Sequence, residues 1–517
     1  MSHEIGYAWL AKEHDINPVQ PLIIRSQIGT TRKSVVEEGR RLEVYTETMR
    51  PETSMSSHLT FALKHEGVHL EFLSRLFSIC APEALIQWIA SEPTGQYARR
   101  SGFLYEWLTG KILNLEEIAI GGNYRDALDP QRYVTSEHKK RNARWRINDN
   151  LPGTPAFCPL VRRTEQVVAA TEYDCRKSLQ AVEAEFGEDI LHRSAIWLTV
   201  RESRASFAIE HEGQKTDRIQ RFATAIAQYC GELGDPLSPE ALSVLQEAIL
   251  GKSTIQWGIR QSPIFVGSSS LQDGPVVHYV SPRWDWLADM LHGLKTFLER
   301  TSADQAMVRA AVASFGFVFI HPLADGNGRV SRFLINDSLR RDGMTPSSVV
   351  LPISATITQS AGKRLEYDRI LERYSKPLMA RYNEWVRFGD RTRYPDGVES
   401  DMHFAAYPSA EPVWRYPDLT AQTEYLFDVI RETVEREMPA QASLQRAWYR
   451  TRDAIKDYLE GPDDHIDRII RGVRTNGRIG NKLRKEFPAL EDTELADNVE
   501  RVISEGFVDV IASSDRG

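Results

Sequence analysis

The run His321-Pro322-Leu323-Ala324-Asp325-Gly326-Asn327-Gly328-Arg329-Val330-Ser331-Arg332 gathers more reactive groups than any other part of this 517-residue chain. It follows the most apolar helical stretch, Ala306 to Ile320, and precedes another helical pattern. It therefore reads as a loop anchored at both ends by core. Gly326 and Gly328 let the backbone approach a ligand closely and take positive φ. Gly326 to Arg329 open the second helix, where free N–H groups and the helix dipole make an anion site. Arg329 and Arg332, three residues apart, can face the same end of that helix, and guanidinium forks suit phosphate oxygens. Asp325 places a carboxylate beside the anion site, where a hard Mg²⁺ would bridge it to substrate phosphates. His321 is a base that titrates near neutral pH. The parts describe a site for a metal–nucleotide with a base held at a phosphorus atom.

The run resembles the Fic family signature, HPFx[D/E]GNGRxxR. Every charged, glycine and asparagine position of that signature is present. The one departure is Leu323 where phenylalanine is usual. The resemblance implies a mainly all-α, Fic-type helical core. It also implies a nucleotidyltransferase, a protein adenylyltransferase that moves AMP from ATP to a Ser, Thr or Tyr hydroxyl of a target protein. The protein itself is one candidate target, and UTP or GTP stays open. By matched position, His321 would take the proton from the attacking hydroxyl. Asp325 would hold Mg²⁺. Asn327 and the amides of Gly326 and Gly328 would cradle the phosphates, with Arg329 and Arg332 on the β- and γ-phosphates. The phosphotransferring branch of the family resembles this pattern but carries lysine where Gly328 stands.

Two flanking features resemble the family as well. Pro263 to Gly267 and Val276 to Val280 are short β-prone runs around a Gly/Ser/Asp-rich turn, which reads as a hairpin. It is similar to the family's flap, which adds the target's backbone as a strand; Ile264, Phe265, Val266 and Gly267 are the residues so implied. Ser206-Phe207-Ala208-Ile209-Glu210-His211 resembles the inhibitory motif [S/T]xxxE[G/N]. In that motif the glutamate pairs with the second arginine, here Glu210 with Arg332, which would block the γ-phosphate in cis. His211 departs from the pattern, and Glu212-Gly213 is an alternative place for its turn.

Other readings compete. The same site could run in reverse and remove AMP. His65-Glu66-Gly67-Val68-His69 matches HExxH, the zinc-protease pattern, with Glu71 or Glu92 as the only third ligands to propose. Against it stand Gly67, which weakens a helix, and Lys64 beside the would-be metal. His138 to Arg146 is a basic run with one aromatic, read as a solvated loop packing on acidic helices. Ile466 to Val510 reads as helix, turn, helix, helix. Plain packing is the preferred reading there, although a DNA-binding helix-turn-helix keeps nucleic acid open as a partner.

The elements around the loop are mostly helical, because apolar positions recur at three and four residues. Phe61 to Phe77 and Phe103 to Ile112 are examples. Ser238 and Pro239 open a helix as cap and first residue. Arg340 and Arg341 close one before Gly343. Gly/Pro-rich stretches near 120–160 and 389–418 read as a linker and a boundary. These give an N-terminal helical domain over 1–164, a catalytic core over 165–395 and a C-terminal helical domain over 396–517. Composition fits a globular chain of several domains, with 26% charged residues and a net charge of −8. That balance is too mild for a nucleic-acid coat. Four scattered cysteines and no basic leader followed by an apolar run suggest the cytoplasm. The apolar stretch at Ala310–Pro322 reads as too short for a membrane span. A homodimer is compatible with all of this.

Overall fold

The structure is a computed structural model that describes residues 3–37, 39–115, 118–210, 216–251, 258–270 and 274–508. The chain is mainly α-helical, with four small sheets among the described residues. It forms two compact units. One comprises Met1–Tyr173, Lys215–Asp342 and Gln359–Phe427; the other comprises Asp174–Gln214, Gly343–Thr358 and Asp428–Gly517. These units cut across the blocks 1–164, 165–395 and 396–517 read from the sequence.

The N-terminal part of the first unit is less purely helical than its sequence suggests. A four-stranded sheet runs in the order Glu4–Ile5, Ile24–Ile28, Arg40–Tyr45, Lys33–Glu37. Its last strand is solvated on both faces, with Val36 63% exposed, so it carries no alternating pattern to read. The helices Met55–Phe61, Leu70–Ile79, Pro82–Ser91 and Gln96–Thr109 follow. Leu59, Phe72, Leu76 and Leu104 are wholly buried at their core.

The stretch near 120–160 is core rather than linker. Strands Arg125–Asp126, Ile147–Asp149 and Lys140–Asn142 form a three-stranded sheet. The sheet delivers Trp145, wholly buried, whose Nε1–H donates to Glu106 at 2.7 Å. Lys139 pairs with Asp126 and Arg144 with Glu106, so the basic run does pack on acidic partners. The expected boundary at 389–418 likewise holds structure. There the hairpin Val386–Arg393 with Glu399–Phe404 precedes the helix Tyr407–Arg415, which buries Trp414.

The helix Ala306–Ile320 crosses the middle of the first unit, with all but two of its 15 residues buried. The apolar segment reaches further than the sequence reading has it. Ala303–Ile320, 18 residues of mean hydropathy 1.3, has the length and composition of a membrane span, yet 72% of it is buried inside the protein. A helix apolar all round needs such burial. Arg309, the one charged residue of Ala306–Ile320, pairs with Asp342 at 2.6 Å and so joins this helix to the end of the next, Asn327–Arg341. Helix Pro239–Leu250 starts as expected, with the Ser238 hydroxyl accepting from the Ala241 amide.

In the second unit, helices Asp463–Asn476, Asn481–Glu486 and Thr493–Gly506 bury Ile466, Ile470, Val499 and Ile503 together. The expected turn at Asn476-Gly477 is present.

Candidate active site

The loop from His321 to Gly326 begins where Ala306–Ile320 stops. His321 caps that helix in the left-handed conformation, φ 52° and ψ 56°. Its amide still donates to the Phe317 carbonyl, and its Nδ1 lies 3.1 Å from the Val318 carbonyl. A carbonyl can only accept, so Nδ1 carries the proton. In the neutral ring Nε2 then holds the lone pair. The helix end therefore fixes which nitrogen carries the lone pair.

Arg260 holds the other side of His321. This wholly buried guanidinium donates to three carbonyls, His321 at 2.8 Å, Ser262 at 2.7 Å and Pro282 at 2.7 Å. Its amide donates to the Pro322 carbonyl. Burial pulls its pKa down to about 10, and the nearby Tyr407 and Tyr279 act in the opposite direction. Tyr279 donates its hydroxyl to the Phe319 carbonyl, and its ring centroid lies 6.5 Å from that of His321. Burial raises the Tyr279 pKa far above the usual phenol range, so it stays a donor. Neither Arg260 nor Tyr279 is marked by spacing in the sequence.

The turn itself is closed by Asn327. Its Oδ1 accepts from the Leu323 amide at 2.9 Å, and its Nδ2 donates to the Leu323 carbonyl at 2.7 Å. The sequence reading gives Asn327 to the phosphates. In the structure this buried side chain clasps the loop backbone. Leu323 is wholly buried, as a plug beneath the loop must be. Gly326 takes φ 92° and starts Asn327–Arg341, a conformation only glycine adopts readily. Gln246 donates to the Asp325 carbonyl at 2.9 Å and accepts from the Gly258 amide, a second brace the sequence does not reveal.

Arg329 and Arg332 are both buried, at 4% and 2% exposure, so the positive charge sits under the loop rather than in solvent. Arg329 pairs with Asp325 at 2.8 Å. Asp325 keeps 47% of its side chain exposed. That suits a cation that retains water and phosphate ligands. Among the described residues no three His, Cys, Asp or Glu side chains gather as a metal site, so an ion here would draw most ligands from its substrate. The hairpin is present as strands Phe265–Ser270 and Gly274–Val280, with a register shift between Val266 and Gly267. Val266 is exposed, Phe265 packs edge-on against Phe388, and the Ile264 carbonyl accepts from the Ser281 hydroxyl. Gly267 has no room for a side chain, because a Cβ would lie 2.4 Å from the Val276 carbonyl oxygen.

Residues 236–339, which hold the loop, its braces and the hairpin, match the model of the Fic/DOC family. The chain carries a Fic domain. Over 132 residues it is 30% identical to the protein adenylyltransferase fic-1 of Caenorhabditis briggsae, 24% of each chain. Over 158 residues it is 27% identical to the Caenorhabditis elegans protein of the same name, 29% of each chain. The chain thus spans about a quarter of the length of these curated relatives. A solved Fic family protein from Desulfovibrio desulfuricans G20 aligns at 18% identity and TM-score 0.38, over 65% of this chain and 92% of that one.

Two sequence features lie outside the Fic match. Ser206 and Glu210 belong to the second unit. Ser206 is wholly buried in the helix Glu188–Ile209, and Glu210 is exposed at its C-cap. One turn before Ser206, Glu202 anchors this helix. Its buried carboxylate accepts from the Ser354 amide at 2.6 Å and from the Ser354 hydroxyl at 2.5 Å. The alternative motif residues His211, Glu212 and Gly213 lie outside the described residues.

The HExxH pattern does not lie on one helix. The segment Ala62–Glu66 ends at Gly67, φ 98°, and a new helix starts at Leu70. His69 caps that helix through Nδ1, accepting from the Phe72 amide, while His65 packs on Phe61 and Tyr45. Glu66 accepts from the Tyr7 amide, and Glu71 from the Val19 and Gln20 amides. Two histidines one turn apart face one metal only on a continuous helix, and Gly67 breaks it. The metallopeptidase reading is therefore dropped.

Proposed function

We propose that this protein is a Fic-type protein adenylyltransferase that moves AMP from Mg²⁺-ATP to a Ser, Thr or Tyr hydroxyl of a protein target. The observation that carries the reading is the pairing of a tautomer-fixed His321 with a helix N-terminus holding two buried arginines. His321 Nε2 takes the hydroxyl proton as the oxygen attacks the α-phosphorus, and pyrophosphate leaves. Amides at Gly326 and Gly328 with Arg329 and Arg332 offset the phosphate charge. Asp325 would hold Mg²⁺, whose role is to neutralise phosphate oxygens. The outer edge of the hairpin at Phe265 to Gly267 suits a target segment added as a strand. Glu210, by the resemblance of its motif to the family's inhibitory one, would keep the γ-phosphate from its productive place in the resting enzyme.

The test is label transfer on the full chain, with α-³²P-ATP in one reaction and γ-³²P-ATP in another. Protein-bound label from the α-position only is expected. Label from the γ-position only would replace this reading with phosphorylation. With all four nucleotides in competition, and mass spectrometry of the product, the same reaction identifies the donor and the modified side chain.

A further inference from the structure

A cavity of about 510 Å³ lies within the first unit, between the N-terminal sheet and helices and the segments 369–377 and 416–422. That volume is typical of a small-molecule site. Its body is apolar, with Val19, Leu22, Ile24 and Leu70 on the wall. Four tyrosines also line it, and each has its hydroxyl committed to a backbone carbonyl: Tyr7 to Gly67, Tyr133 to Val68, Tyr374 to Val413 and Tyr416 to Pro155. What they can offer an occupant is ring surface.

The charged groups around the cavity divide into satisfied and unsatisfied ones. Arg162 pairs with Asp418, and Lys376 with Glu372. Arg40, Arg369 and Arg373 also line it, are exposed, and form no ion pair or hydrogen bond through their guanidinia among the described residues. Arg369 and Arg373, four apart on the helix Ala361–Tyr382, share a face. Arg373 approaches the turn that precedes Arg40, with Nη2 3.7 Å from a Cβ placed on Gly39. Glu66 is buried and lines the same cavity. Its Oε2 accepts from the Tyr7 amide, and its carboxylate lies beside the Ser26 hydroxyl and amide, which favour its charged form against burial.

We propose that this cavity is a binding site for a small amphipathic organic anion. The apolar or aromatic body lies among the tyrosines and aliphatic side chains. Its phosphate, sulfonate or carboxylate meets Arg40, Arg369 and Arg373. The site is separate from the His321 loop, yet one side chain away from its helix. Tyr374 lines the cavity and stacks on Phe319, two residues before His321, with ring centroids 4.2 Å apart. An occupant therefore bears on the element that sets the base.

The probe is 8-anilinonaphthalene-1-sulfonate, which carries an aromatic body and one anion. It is titrated by fluorescence against the full chain. Saturable binding of one dye per chain is expected. Reversing both exposed rim charges, Arg369→Glu with Arg373→Glu, leaves the fold intact and weakens binding about tenfold or more. Leu22→Trp, which fills the cavity, removes it. Arg332→Ala, in the helix that follows the His321 loop, leaves it unchanged. Unaltered affinity in both cavity variants would overturn the proposal, and so would loss of binding in Arg332→Ala alone. Because the readout is dye binding, its outcome is independent of whether the chain transfers AMP.

Discussion

The buried guanidinium of Arg260 donates from Nε to the carbonyl oxygen of His321 at 2.8 Å. The same group holds the carbonyls of Ser262 and Pro282, so one side chain ties the loop to both ends of the segment that carries the hairpin. The backbone of His321 is thus held by a residue 61 places earlier in the chain.

Arg260→Met leaves three carbonyls without their donor. The expected cost is about 3 kcal/mol or more, since each buried unsatisfied group costs roughly 1–3 kcal/mol. Urea unfolding measures it. A variant as stable as its parent would mean that the carbonyls find other donors.

Asn327→Ala removes both bonds of the clasp on Leu323. A loss of roughly 1–3 kcal/mol is expected, together with loss of label transfer. Asn327→Asp keeps the acceptor for the Leu323 amide but sets a carboxylate against its carbonyl, so it should not rescue. Full activity in Asn327→Asp would argue that the side chain does not work as a clasp.

His321→Asn is the cleaner test of the base. Asparagine enters the left-handed region more readily than alanine, so the helix cap survives. Label transfer should fall by roughly 10²–10⁴-fold while the melting temperature stays near that of the parent. A small loss in rate would assign proton transfer to another group.

Glu210→Gly removes the carboxylate proposed to be inhibitory. Label transfer should rise, by roughly 5- to 150-fold for a coupling of 1–3 kcal/mol. A fall instead would favour removal of AMP as the reaction, with Glu210 orienting the water.

Glu66 supplies a pH test. Burial pushes its carboxyl up to about 7 from 4.5, against the pull of the Tyr7 amide. The unfolded chain therefore releases this proton first. Stability attributable to the group is fully present below the unfolded value and is lost as pH rises towards and through about 7, on the order of 3 kcal/mol in all. Glu66→Gln should flatten that part of the stability–pH profile. An unchanged profile would place the titration elsewhere.

The sequence by itself brought the reactive groups of the loop together. His321, Asp325, Gly326, Arg329 and Arg332 are legible because a short loop between two helices leaves its reactive groups adjacent in the chain. The hairpin at Phe265 was legible too, from β-prone runs around a turn, as was the Ser238-Pro239 helix start. The N-terminal sheet was not, because its outermost strand faces water on both sides and shows no alternation. The HExxH reading failed because pattern assumes a continuous helix, and the positive φ of Gly67 ends it. Only the tertiary structure showed Asn327 clasping the Leu323 backbone, fixed the His321 tautomer, and brought Arg260, Gln246 and Tyr279 to the loop. Hydrogen bonds and burial act between residues that meet in space. Spacing along the chain cannot foretell which buried donor will find which carbonyl.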